Sequence, residues 1–240
     1  MRGGLNPIER LSPRDGRSTL GGMTPARAAA FLLAAVLCAP AAADDRGPEL
    51  GFSAAARVSV ALPMGGLLSD PQTGTLAIDD LVALSVPLQF DVGLTLDRRL
   101  FLGGYVQWGW NFLQIGGCQV GESCALTGLR AGVEALWSFH AEGNTPWVGV
   151  GTGWEWLFTS YSGSGFTTKL DVSGWEFVNL QVGYDVVVAP RWKVGAFASG
   201  SVGMFTRATV SSNGLGESGP IPNTAIHGWL SLGVKGTFGP

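Results

Sequence analysis

The feature that most constrains this chain is an alternation of apolar and polar residues that runs for fourteen residues, from Leu84 to Asp97. Ordinary strands have ~5–6 residues, whereas a tilted strand that crosses a bilayer needs ~9–11. Backbone groups in lipid are satisfied only within helices or closed barrels. The pattern therefore predicts one strand of a transmembrane barrel. Its apolar face consists of Leu84, Val86, Leu88, Phe90, Val92, Leu94 and Leu96, and the other face of Ser85, Pro87, Gln89, Asp91, Gly93, Thr95 and Asp97.

The composition favours a membrane protein without transmembrane helices. The chain is 46% hydrophobic and only 14% charged, which is low in charge for a soluble domain. Beyond residue 43, polar residues and glycines interrupt every apolar stretch before it reaches the length of a membrane-spanning helix. The apolar content must therefore follow a period of two.

The N-terminal segment 1–43 has the features of a secretory signal peptide. Arg27 precedes the apolar run 28–38, and Ala41 and Ala43 fit the small-residue rule for cleavage before Asp44. The polar segment 1–22 is long for such a signal, so we expect translation to start at Met23. Residues 44–240 are then the mature barrel domain.

Two cysteines remain in that domain, Cys118 and Cys124, close together in a glycine-rich segment. Export to an oxidising compartment favours a disulfide between them. A metal or redox pair is the weaker alternative, because no histidine or second cysteine pair lies nearby. We expect no metal and no cofactor.

The charge of the mature domain argues against nucleic acid as a partner. Segment 1–43 contains five Arg and two acidic residues, so its removal leaves 10 basic and 16 acidic residues and changes the net charge from −3 to −6. An acidic chain without a basic stripe does not suit a phosphate backbone.

The same period predicts eight strands, and their connections alternate in length. Short connections at 97–99, 141–146 and 187–191 alternate with long, Gly- and Ser-rich ones at 65–80, 113–125, 159–172 and 206–223. Short turns at one end and long loops at the other are typical of an all-β, eight-stranded antiparallel up-and-down transmembrane barrel. The predicted strands are 50–64, 81–96, 100–112, 126–140, 147–158, 173–186, 192–205 and 224–238.

One face of each predicted strand is free of charge, as a lipid-facing surface requires. Glu176 breaks this rule, so a β-bulge near Trp175 or a later strand start is needed there. Besides the apolar face already given, the lipid-facing set is Ala56, Val58, Val60, Leu62, Leu100, Leu102, Val106, Trp108, Trp110, Phe112, Leu129, Ala131, Val133, Ala135, Trp137, Phe139, Val148, Val150, Trp154, Trp156, Phe158, Val178, Leu180, Val182, Tyr184, Val186, Val194, Ala196, Ala198, Val202, Leu230, Leu232, Val234 and Phe238.

The opposite faces carry charges of both signs and predict a polar, plugged interior. An eight-stranded barrel is just wide enough for its own side chains, and buried charges must be paired. We expect salt bridges here, and the alternative use of such charges is an ion or proton path. The charged set is Arg57, Asp91, Arg130, Glu134, Glu155, Asp185, Lys193 and Lys235.

Aromatic residues cluster at the predicted strand ends, as interfacial girdles do. Trp108, Trp110, Trp154 and Trp156 fall near the long loops, together with Phe112 and Phe158. Trp137, Phe139, Tyr184 and Phe238 fall at the opposite ends. Gly149, Gly151 and Gly153 lie on an inner face without a following helix, so they are expected to make room for bulky neighbours and not to bind a nucleotide.

Segments 90–110 (FDVGLTLDRRLFLGGYVQWGW) and 146–156 (PWVGVGTGWEW) resemble small bacterial outer-membrane β-barrel proteins of the outer membrane protein A, X and W type. The resemblance implies an eight-stranded barrel in the outer membrane of a Gram-negative bacterium, inserted by the outer-membrane assembly machinery. The last strand resembles the assembly signal of such proteins, although Gly239 and Pro240 follow Phe238. Functions differ widely within this group, so no functional residue is transferred.

Four functions remain open. We expect a non-enzymatic monomer that presents surface loops to an extracellular ligand the sequence does not specify, with no catalytic residue. One alternative is a narrow, low-conductance pore past Arg57, Arg130 and Glu134. Another is a lipid-modifying hydrolase that uses His227 with Glu155 or Ser173. The last is a soluble, lipocalin-like ligand-binding barrel with its apolar residues inside.

Overall fold

The computed structural model describes residues 50–70, 74–113, 123–163, 166–213 and 215–240, and the predicted signal peptide lies outside these ranges. Ten strands account for most of the described chain. No helix in these ranges is long and apolar enough to cross a membrane. The strands are β1 (Leu50–Asp70), β2 (Gly74–Ala77), β3 (Val82–Leu96), β4 (Leu100–Leu113), β5 (Ser123–Ser138), β6 (Thr145–Gly163), β7 (Phe166–Ala189), β8 (Trp192–Ser212), β9 (Leu215–Pro220) and β10 (Ile226–Phe238).

Eight of these strands form a closed antiparallel ring. The order around the ring is β1, β3, β4, β5, β6, β7, β8, β10 and back to β1. The closing pair β1–β10 runs in register from Ala54 opposite Phe238 to Gly65 opposite His227. The predicted eight-stranded up-and-down barrel is thus confirmed, and β2 and β9 are short additions that pair with β1 and β8 beyond the ring.

The two faces of the ring have inverted polarity relative to a soluble barrel. On β3, Gln89 and Asp91 are buried in the lumen, while Phe90 and Leu94 are exposed on the outside. The same holds around the ring, where the exposed outer side chains are mainly Val, Leu, Trp and Phe. Contiguous apolar surface of this extent needs a lipid or detergent cover. A lipocalin-like arrangement, with charges outside, is not what the strands adopt.

A β-bulge places Glu176 inside the barrel. Trp175 and Phe177 are both about half exposed, and the ladder to β8 shifts between Glu176 and Val178. The side chain of Glu176 is consequently 1% exposed although its sequence parity is that of lipid-facing residues. The bulge predicted near Trp175 is confirmed.

The barrel has a turn end and a loop end. The turn end holds the connections 97–99, 139–144 and 190–191, and the loop end is the opposite end of the ring, where β1, β4, β6 and β8 end. At the tightest turn, Asp97 and Arg98 both have positive φ, 50° and 54°. Two consecutive residues with positive φ define the type I′ turn that matches strand twist in a two-residue hairpin.

Three predicted long loops are wrong in their extent, because strands continue through them. The β6–β7 ladder extends from Thr159 opposite Leu170 to Gly163 opposite Phe166, and β8 continues to Ser212 against β9. Segment 65–80 contains the β1–β2 hairpin. In the β6–β7 extension, segment 159–163 (TSYSG) has no aliphatic residue and segment 166–172 (FTTKLDV) alternates only at its end, so β-favouring residues are present without a sustained alternation of apolar and polar ones.

Candidate functional site

The first polar group of the lumen is centred on Arg57 and is called the Arg57 cluster. Arg57 Nε lies 2.5 Å from Asp91 Oδ2 and its Nη2 lies 2.7 Å from Glu134 Oε1. Gln181 accepts a hydrogen bond from Arg57 and donates one to Glu134 at 3.0 Å. Gln89 donates to Asp91 at 2.7 Å. These side chains come from β1, β3, β5 and β7, so one guanidinium links four strands across the lumen.

A second ion pair lies beside this cluster, between Lys235 and Asp185. Lys235 Nζ lies 3.0 Å from Asp185 Oδ2 and 3.7 Å from the centre of the Trp147 ring. The indole N–H of Trp147 donates to the other carboxylate oxygen of Asp185 at 2.9 Å. Both oxygens of Asp185 are therefore engaged, which a buried carboxylate requires.

The Arg130 cluster lies nearer the loop end. Arg130 lies 3.0 Å from Glu155 and 3.4 Å from Glu176. His227 Nε2 lies 3.0 Å from the second oxygen of Glu155. Tyr105 donates a hydrogen bond to Glu176, and the guanidinium lies 5.0 Å from the Trp229 ring centre.

Two apolar clusters enclose these polar groups. Toward the loop end, Phe205 stacks on His227 with ring centres 4.1 Å apart. Leu67 and Ile78, from the end of β1 and the segment after β2, turn inward to join it. The loop-end cluster consists of Ala61, Leu67, Ile78, Val82, Leu126, Leu157, Val172, Phe205, Ile221 and Trp229, and the turn-end cluster of Leu136, Trp147 and Phe197.

The predicted interior charges need two corrections. Lys193 is half-buried near the turn end, and no ion pair between described residues includes it. Glu176, which the strand parity assigns to lipid, joins the network instead, as does His227. In the described barrel, five carboxylates therefore face Arg57, Arg130, Lys235 and a histidine.

Inner-face glycines make room for large side chains, as expected. A Cβ on Gly153 would lie 2.6 Å from the Tyr105 hydroxyl, and one on Gly149 would clash with Leu136 Cδ2. A Cβ on Gly132 would clash with the Thr152 carbonyl oxygen and would lie 2.8 Å from the Tyr105 ring. Tyr105 has room to reach Glu176 because Gly132 and Gly153 lack side chains.

We expect Gly132→Ala to lower the free energy of unfolding by about 1–3 kcal/mol, since the new methyl group has no room beside a fixed carbonyl. The matched control is Gly200→Ala, where the added Cβ meets nothing within 4 Å. Denaturant titration in detergent compares the two. Equal stability of the two variants would contradict the close packing around Tyr105.

Of the residues considered for hydrolysis, His227 and Glu155 come together and Ser173 does not. Glu155 does contact His227, but Ser173 pairs with Trp156 on the outer face of the barrel. His227 is 2% exposed and lies beneath Phe205. His140 belongs to a turn-end connection. In the described part of the chain, no group of three or more potential ligands could hold a metal ion.

The aromatic girdle residues lie on the outer face near both ends. Trp110, Trp137 and Tyr184 are about half exposed, and Trp108, Trp154 and Trp156 are partly covered. Trp154 packs edge-on against Trp175, with centres 4.9 Å apart, and Trp192 packs on Phe238 at 5.2 Å. Trp175 was not among the predicted outer aromatic residues, because the β7 bulge changes which residues of that strand face outward.

Cys124 is disulfide-bonded. Cys118 lies outside the described residues, so its pairing with Cys124 stays a prediction.

Comparison with known proteins finds distant structural similarity only. No protein-family model and no curated protein matches the chain. A major outer membrane protein from Thermus thermophilus is 12% identical, with a TM-score of 0.48 over 80% of this chain and all of that one. Outer membrane protein AlkL in lipid bilayers is 17% identical, with a TM-score of 0.44 over 83% of this chain and 96% of that one. Neisserial surface protein A is 13% identical, with a TM-score of 0.42 over 79% and 98%. The fold is defined by the ring of paired strands in the structure itself.

Proposed function

We propose that this protein is a closed, non-conducting barrel of the bacterial outer membrane that anchors and presents an extracellular β-sheet. The single observation that supports the proposal best is the filled lumen, in which two ion-paired clusters lie between two apolar clusters. An eight-stranded barrel has space for little more than its own side chains. A water-filled path would have to separate Phe205 from His227 and Arg57 from its carboxylates.

Export through the signal peptide 1–43 and insertion by the outer-membrane assembly machinery would place the turn end in the periplasm. The support is the asymmetry of the connections, since short turns face the periplasm and long ones face outward in such barrels. We propose a monomer, because the ring is closed and the described barrel strands leave no edge inside the lipid band.

The presented surface is a sheet that continues the barrel wall beyond the bilayer. Strands β6, β7 and β8 have 19, 24 and 21 residues, whereas ~9–11 cross the membrane. About half of each strand is therefore left to project from the loop end. Strand β9 adds to β8 from Arg207 opposite Pro220 to Ser212 opposite Leu215. Strands hold the side chains of a binding surface more precisely than loops do.

A structural role for His227 is also part of the proposal. Its burial beneath Phe205 and its contact with Glu155 support a non-enzymatic protein, because a lipid substrate would have to displace the apolar cluster to reach the imidazole. The low-conductance pore remains the second candidate, supported only by the charges of the lumen.

Planar-bilayer recordings test this proposal. The purified protein, folded in detergent and added to the membrane, is expected to give no stable open level at any applied voltage. A porin with a water-filled lumen, added to the same membranes, is the positive control for insertion. A reproducible conductance step, found in the same purified fractions as the folded protein, would contradict the closed barrel and favour the pore.

A further inference from the structure

A cavity opens at the turn end of the barrel and has an excess of positive charge. Its cationic lining residues are Arg98, Arg99, Arg191, Lys193 and Lys235, and its acidic side chains are Asp91 and Asp185. Asp91 is bound to Arg57 at 2.5 Å, and Asp185 is bound to Lys235 at 3.0 Å. Neither carboxylate is free to neutralise the other cations.

Three of the cations have no anionic partner among the described residues. Arg98 pairs with Glu142 at 3.1 Å on the exposed rim. For Arg99, Arg191 and Lys193, no carboxylate in the described ranges lies within ion-pair distance. Three such cations around one opening repel each other, so an anion between them would be stabilised.

The barrel wall holds these cations in place and adds a hydroxyl group. Lys193 lies directly opposite Thr237 across the β8–β10 ladder. The carbonyl of Arg191 accepts the N–H of Gly239 at 3.1 Å, and that of Arg99 accepts the N–H of Ser138 at 2.8 Å. Thr237 also lines the cavity, and its buried Oγ1 has no hydrogen-bond partner in the described part of the chain.

We propose that this cavity binds a phosphate group, supplied by a phospholipid headgroup or by free phosphate. Guanidinium forks, a lysine and a hydroxyl suit the several acceptor oxygens and the negative charge of phosphate. The Thr237 hydroxyl would then donate to the ligand. The site goes beyond the proposed function, because a presenting barrel needs no ligand at this end.

Isothermal titration of the folded, full-length protein with inorganic phosphate, in a non-ionic detergent at low ionic strength, tests the site. We expect one phosphate per barrel, and a Kd at least about tenfold higher in Arg191→Ala/Lys193→Ala, since two charge-assisted hydrogen bonds are lost. The matched control is Lys169→Ala/Arg207→Ala, which removes two exposed cations from the loop end and is expected to change the Kd less than about twofold.

A second variant keeps the test valid if the double variant fails to fold. Thr237→Val removes only the hydroxyl and is expected to weaken phosphate binding about fivefold. Phosphatidylglycerol added to the micelles identifies the source: competition with phosphate indicates a headgroup site, and no competition indicates free phosphate. Equal weakening by both double variants, or full affinity in Thr237→Val and Arg191→Ala/Lys193→Ala, would overturn the proposal. A conducting barrel with this site intact would contradict only the proposed function.

Discussion

Replacing Arg130 by methionine is expected to lower the free energy of unfolding by about 3–5 kcal/mol. Methionine keeps a long apolar side chain but removes the guanidinium, which lies 5.0 Å from the centre of the Trp229 ring. Glu155 and Glu176, which are 3% and 1% exposed, then lose their common cation. The carboxylates stay buried in the lumen, and their desolvation is no longer offset.

The measurement is denaturant unfolding of the barrel in lipid vesicles, followed by tryptophan fluorescence. Arg207→Met is the matched control, because Arg207 is exposed at the loop end. A substitution there is expected to change the free energy of unfolding by no more than about 0.5 kcal/mol. A second control is Arg130→Met with Glu155→Gln and Glu176→Gln, which removes all three charges and should recover much of the loss. A change below about 1 kcal/mol in Arg130→Met alone would show that the cluster is not the buried ion network described here.

Strand parity was enough to predict the ring, because a lipid-facing strand tolerates no charge on one face. The alternation around Phe90 reaches Asp97, one residue beyond the end of β3 at Leu96, and the turn at Asp97 and Arg98 begins there. Parity also predicts that Arg57, Glu134 and Lys235 point inward, as the structure shows.

Partners across the lumen could not be predicted in the same way. The contact between Arg130 and Glu176 depends on the β7 bulge and joins β5 to β7, which are not neighbours in the ring. Lys193 has inward parity but lies too close to the turn end to join the ion pairs. Ile78 belongs to a connection, so no periodicity indicates that it enters the loop-end cluster.

Placing an arginine on the lipid face is the second large effect. Val60 on β1 lies opposite Leu232 of β10, about midway between the two ends of that ladder. We expect Val60→Arg to lower the free energy of unfolding by about 2–4 kcal/mol in vesicles, since the guanidinium must enter the hydrocarbon. The loss of stability would come from the lipid around the new side chain, because the half-exposed Val60 has few protein contacts to lose.

Val210 is the matched control for that substitution. Val60 is 47% exposed and Val210 is 49% exposed, so the two substitutions are expected to remove similar amounts of protein packing. Val210 lies in the part of β8 that projects from the loop end, opposite Glu217 of β9, where an arginine is solvated and has an acidic neighbour. We expect Val210→Arg to change the stability by no more than about 0.5 kcal/mol.

The difference between Val60→Arg and Val210→Arg, measured by unfolding in lipid vesicles, tests most directly whether the apolar outer surface is a membrane surface. A loss of about 2–4 kcal/mol at Val60 with almost none at Val210 is the predicted result. Equal losses at the two positions, or a larger loss at Val210, would contradict a barrel that spans the bilayer with its charges inside.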